Sequence, residues 1–223
     1  VLPRSVGRVV VRATTALVEG ATTAEPTEAD ASAPEPAPTA SDRKPVSPLH
    51  IGIMLWLASD VMFFAGLFAT WFVLRAENEV WPPDGAELDV LRSGVFTCVL
   101  ILSSLTMHFC VKSAEKGDKQ TSFGWLGVTL VLGAVFLTNQ LLEYASLDFS
   151  LSTDAYGSIY YLLTGFHGLH VFGGLCLMLA LFMLLGPMTS KAPFEGSVTA
   201  FSYYWHFVDV VWVVVFLVVY VIA

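Results

Sequence analysis

Charge is the scarcest ingredient of this 223-residue chain: Asp, Glu, Lys and Arg make up only 13% of it, about half the share usual in soluble domains. Apolar residues make up 55%, and the mean hydropathy is +0.68. So small a chain cannot cover that much apolar matter with polar surface, which excludes an ordinary soluble domain. Cysteine is nearly absent too. Cys98, Cys110 and Cys176 sit singly in apolar runs without Cys-x-x-Cys spacing, which argues against a disulfide framework, a zinc or iron–sulfur centre, and covalent haem attachment. They read as small buried hydrophobes. The chain also lacks a Gly-rich phosphate loop, a Ser-His-Asp set, a thiolate–imidazole copper cluster and a basic stripe for nucleic acid. No strong internal repeat marks it as an inverted-repeat transporter.

The few charges are unevenly placed: residues 1–50 hold 11 of the 30. Arg4, Arg8 and Arg12 lie at helical spacing and could rest on a membrane surface. The following stretch to Pro48, rich in Ala, Pro, Thr and Glu, reads as disordered. Residues 1–48 are therefore expected to be a polar, largely disordered tail, and 49–223 a membrane domain. A bilayer core of about 30 Å needs about 20 apolar residues in helix. Five runs meet or approach that length, at about 51–74, 94–111, 122–144, 157–185 and 200–222. The expected fold is all-α: a polytopic bundle of five transmembrane helices. With the N-terminus inside, nine of the 11 Lys and Arg residues fall on the inner segments and only Arg75 and Arg92 on the outer ones, so the positive-inside rule predicts N-in, C-out.

Polar groups inside the apolar runs carry the functional argument. Asp60 lies mid-way along the first run, where a carboxylate costs about 2.5–3.5 kcal/mol on insertion scales. Twelve Leu, Ile, Val and Phe residues in that run offset the cost. Such an acid needs a partner or a proton, and is expected to handle protons or sit at an interface. His167 and His170 share a helix face at i, i+3 and are expected to brace packing, since two imidazoles alone make an incomplete metal site. Gly165, Gly168, Gly173 and Gly174 suit close helix approach. His206 and Asp209, also at i, i+3, could pair, and their depth suggests a buried cluster with Asp60. Glu143 and Tyr144, with Gln140 before them, close the third run near its outer end, where interfacial anchoring is the default. The six tryptophans resemble an aromatic belt.

Several motifs carry a family resemblance. Tyr156-Gly157-Ser158 precedes Gly165-Phe166-His167-Gly168-Leu169-His170-Val171, and Tyr204-Trp205-His206-Phe207-Val208-Asp209-Val210-Val211-Trp212 follows. Ser59-Asp60-Val61-Met62-Phe63-Phe64 and Gln140-Leu141-Leu142-Glu143-Tyr144 precede them in the chain. In this order, spread over 51–223, they resemble subunit III of cytochrome c oxidase, of the haem-copper oxidase complexes, in its five-helix bacterial form. The resemblance implies a subunit without catalytic residues, redox centres or metal of its own, beside subunits I and II, whose haem and copper pass electrons from cytochrome c to oxygen. It implies bound phospholipid, help with proton uptake into subunit I, no nucleic-acid partner, and a place in the bacterial plasma membrane. Asp60 would face subunit I and support proton entry, with His167, His170, His206, Asp209 and Glu143 bracing the bundle. Many members carry Glu where this chain has Asp60, a shorter stem for the same group. Subunit III of a quinol oxidase or nitric oxide reductase complex, and an independent proton-coupled transporter, are the alternative readings.

Overall fold

A computed structural model describes residues 48–83, 86, 88–184 and 191–222. The expected tail at 1–47 lies outside the described residues. Five long helices account for most of the rest: α1 Pro48–Glu77, α2 Val90–Glu115, α3 Lys119–Ser146, α4 Ala155–Leu184 and α5 Lys191–Phe216. The last continues into one π-helical turn, Leu217–Val221. Among the described residues there is no strand. All five helices are long and apolar enough to cross a membrane. Helices of 26 to 30 residues extend about 39–45 Å, longer than the roughly 30 Å hydrocarbon slab. This explains why the apolar runs alone gave shorter limits. The largest difference is α5, which starts nine residues before the expected 200. Its extra turns mix Glu195, Ser197 and Thr199 with the buried Phe194 and Val198, too polar on average to extend the apolar run, and Pro193 falls in the first turn, where proline is tolerated.

Local chemistry sets the joins. Asp89 caps α2, its Oδ1 accepting from the Arg92 backbone N–H at 2.9 Å. Asp118 caps α3 in the same way, accepting from the Thr121 N–H at 3.1 Å. Donation from the Thr121 side chain and backbone holds the Asp118 carboxyl below its usual range. Between α2 and α3 the turn is tight because Gly117 adopts φ 80°. Its N–H bonds back to Ala114 O, and that of Asp118 to Ser113 O.

Packing is organised around α5, which touches α1, α2 and α4. α2 and α3 form an antiparallel hairpin, and α3 also packs on α4. α1 is peripheral: only Phe64 and Trp71 are fully buried on it. The tightest approach lies at Trp205. A Cβ on Gly174 of α4 would come within 2.7 Å of its indole, and one on Gly133 of α3 within 2.8 Å. Its Nε1 donates to Ser103 Oγ of α2 at 3.0 Å. One indole thus joins α5 to three neighbours, which requires the missing Cβ at those two glycines. By contrast Gly165, Gly168 and Gly173 have only ordinary van der Waals neighbours, so of the four glycines expected in close packing only Gly174 is tight.

Two further expectations are corrected. Trp71, Trp205 and Trp212 are core residues, not a belt. Each fills an interhelical gap, and two place their N–H on a hydroxyl of α2, Trp205 on Ser103 and Trp212 on Thr97. Of the three free cysteines only Cys110 is buried, because a lipid-facing position tolerates a small apolar residue as readily as a core does.

Candidate functional site

Asp60 projects from the inner face of α1 towards α4 and α5. Trp56, Asp60 and Phe64 lie at i, i+4, i+8, so one face carries all three. Trp56 stacks on Tyr204 of α5, with ring centroids 5.2 Å apart, and Phe64 lies 5.2 Å from the ring of His170 on α4. The Tyr204 hydroxyl donates to the His170 carbonyl at 2.8 Å, closing the three-helix junction. Within it, Asp60 Oδ2 lies 3.6 Å from His170 Nε2, and the two side chains are 14% and 17% exposed.

The imidazole's other nitrogen is anchored on its own helix. His170 Nδ1 lies 2.7 Å from the Phe166 carbonyl, which can only accept, so Nδ1 carries a hydrogen. Nε2 is then the ring atom that faces the Asp60 carboxyl. Asp60 Oδ2 is buried and takes no hydrogen bond at this separation, so the pair is poised with little else holding it.

Glu143 is organised in the opposite way. It is 3% exposed and collects hydroxyl donors from three other segments: Tyr220 at 2.8 Å, Ser93 at 3.3 Å and Tyr160 at 3.4 Å. Tyr160 and Tyr220 also meet each other at 3.1 Å. The π-helical turn that ends α5 carries Tyr220 into this hub. Glu143 is therefore a buried junction of α2, α3, α4 and the end of α5, not an exposed anchor. Tyr144 beside it donates to Thr164 Oγ1 at 2.7 Å. Three hydroxyls from separate segments tie this carboxyl in place.

The remaining residues separate. The structure sets Asp60, which faces His170, apart from His206 and Asp209, which both lie beside Ser104. His206 Nδ1 meets Ser104 Oγ of α2 at 2.6 Å. Asp209 is buried beside the same hydroxyl, yet neither of its carboxyl oxygens closes a hydrogen bond. The depth argument placed these groups at one level but could not say which helix each faced. His167 and His170 diverge as well. His167 is fully buried, 4.7 Å from the Trp212 ring and 6.0 Å from Phe136, with both nitrogens unpartnered.

The sequence reading missed the stripe that holds α2. Ser93, Thr97, Leu100, Ser103, Met107, Cys110 and Ala114 are its buried residues, spaced three and four apart. Their side chains reach Glu143, Trp212, Trp205 and Ser122. The recurrence of small and hydroxyl residues at that spacing was the available signal.

Among the described residues no three His, Cys, Asp or Glu side chains come together as a metal-ligand set. Fold and site together define a multi-spanning helical membrane protein whose distinctive chemistry is carboxyl and imidazole groups sheltered between helices. Comparison with known proteins carries the assignment further. The family model for cytochrome c oxidase subunit III matches residues 40–223. The probable cytochrome c oxidase subunit 3 of Nocardia farcinica is 44% identical over 178 residues, covering 77% of this chain and 87% of that one. The probable subunit 3 of Mycobacterium tuberculosis H37Rv is 43% identical, with coverages of 77% and 87%. Cytochrome c oxidase subunit 3 of Thermostichus vulcanus is 36% identical, with coverages of 78% and 87%. The chain belongs to the cytochrome c oxidase subunit III family.

Proposed function

We propose that this chain is the non-catalytic third subunit of a proton-pumping terminal oxidase that passes electrons from cytochrome c to oxygen. It lies in a bacterial plasma membrane with its N-terminus in the cytoplasm, packs beside subunits I and II, steadies subunit I, holds lipid and supports proton uptake. Haem and copper belong to the partner subunits. The observation that carries this reading is the Asp60–His170 pair, a carboxyl and an imidazole 3.6 Å apart at a sheltered position beside the peripheral helix. Intramembrane acids that face an imidazole are typical of proton routes. The uncovered side of α1, with Met54, Val61 and Met62 exposed, suits contact with another polypeptide. An apolar groove of about 340 Å3 between α1, α4 and α5, lined by Ile53, Trp56, Leu177, Leu181 and Phe201, suits a lipid chain.

Purification in mild detergent through a tag on this chain tests the assignment. Haem absorption and oxidase subunits I and II are expected in the same fraction. Recovery of the chain as a stable protein free of haem and of those subunits would overturn it.

A further inference from the structure

Arg92 sets up a second site, remote from Asp60. A long basic side chain near a helix end ordinarily runs outward to water. Arg92, in the first turn of α2, instead turns sideways onto α3, its Nε donating to Asn139 Oδ1 at 2.8 Å. Asn139 is itself buried, so the guanidinium is held by a fixed acceptor. Arginine has five N–H donors, and this contact uses one. The nearby carboxylates are engaged elsewhere: Asp89 caps the backbone of α2, and Glu143 takes its three hydroxyls. No carboxylate among the described residues lies within 4 Å of the guanidinium.

Asn139 also lines a groove between α2 and α3 of about 400 Å3, whose apolar lining includes Phe96, Val131, Ala134, Val135 and Leu142. Depth identifies what would fill it. Residue 92 lies about 3 Å along from the start of α2, and each end of that 26-residue helix overhangs the hydrocarbon by about 4–5 Å. Residue 92 therefore stands about 1–2 Å outside the hydrocarbon edge, at the glycerol level and within a side chain's reach of the phosphates, with Asn139 linking its guanidinium to the groove.

We propose that Arg92 and Asn139, with the α2–α3 groove, form a binding site for an anionic phospholipid, the phosphate on the guanidinium and one acyl chain along the groove. Arginine suits this because its remaining donors form a planar fork that matches two phosphate oxygens. The inference deepens the lipid-holding part of the proposed function at a groove separate from the one beside Trp56, and it does not depend on the Asp60 pair.

The test uses the complete complex in nanodiscs containing photoactivatable phosphatidylglycerol or, separately, photoactivatable phosphatidylcholine, with cross-links mapped by mass spectrometry. Phosphatidylglycerol is expected to label the groove residues about fivefold more than phosphatidylcholine, the ratio one interfacial cation–anion contact supports. R92Q should remove the preference while leaving the haem spectrum and the phosphatidylcholine background unchanged. V135W, which fills the groove from a lipid-facing position and keeps Arg92, should lower labelling by both lipids. Equal labelling by the two lipids in the unmodified complex, a preference that survives R92Q, or cross-links running from the groove to another subunit would overturn the site. Failure of the oxidase assignment would show separately, as absence of haem from the purified material.

Discussion

Glu143 and Asp60 are both carboxyls on apolar membrane-spanning helices, and the bundle treats them differently. Glu143 is almost completely enclosed and takes hydroxyl donors from three other segments. Asp60 has a single partner, at a distance longer than a hydrogen bond, and sits on the least buried helix. A carboxyl gripped by three hydroxyls is a fixed structural group, because turning it away would strand its donors. A carboxyl left almost unserved contributes little to stability, which leaves it free for the transfer role proposed above. The contrast teaches that burial of an acid does not reveal its role; the number of donors around it does.

Substitutions that test this contrast differ in size and in sign. Glu143→Ala removes the shared acceptor of Ser93, Tyr160 and Tyr220, leaving the two tyrosines only each other at 3.1 Å. The expected loss is about 3–5 kcal/mol, read as a much lower denaturation temperature of the purified complex or as failure to accumulate. Gly174→Val places a methyl group against the Trp205 ring. Its cost is expected at about 1–3 kcal/mol, measured in the same melt, and it calibrates how far tight packing alone accounts for stability. Ser104→Ala removes the contact to His206 Nδ1 and should cost about 1 kcal/mol. Asp60→Ala should be the mildest in the melt, within about 1 kcal/mol of the parent and of either sign, since the lost oxygen made no hydrogen bond. Its effect belongs in turnover: a shorter active lifetime or slower proton uptake with unaltered haem spectra. Comparable thermal losses for Asp60→Ala and Glu143→Ala would break the comparison.

What could be read from the sequence followed the bilayer's demands. Five spans were legible because about 20 apolar residues are needed to cross hydrocarbon, and Asp60 stood out because a mid-span carboxyl is rare. The faces were not legible. In a soluble bundle apolar periodicity separates core from surface, but lipid is as apolar as a helix interior, so the pattern on α1 or α4 does not say which side meets protein. That is why Asp60 was grouped with His206 by depth when its partner is His170, and why Trp71, Trp205 and Trp212 looked like belt residues. The better guide was the small and hydroxyl spacing of α2, where a polar atom marks the protein side. The hub at Glu143 lay further out of reach, because Tyr220 arrives through a π-helical turn that no spacing in Leu217–Val221 announces.

Asp60 and His170 are proposed to act as one unit in proton uptake within an oxidase complex. A double-mutant cycle on the purified complex tests it directly: proton-uptake rate and catalytic lifetime in Asp60→Asn, His170→Ala and the two combined. The account predicts intact haem spectra in all three, similar impairment from either single change, and no further loss in the double variant. Additive effects, or an Asp60→Asn complex indistinguishable from the parent, would contradict it.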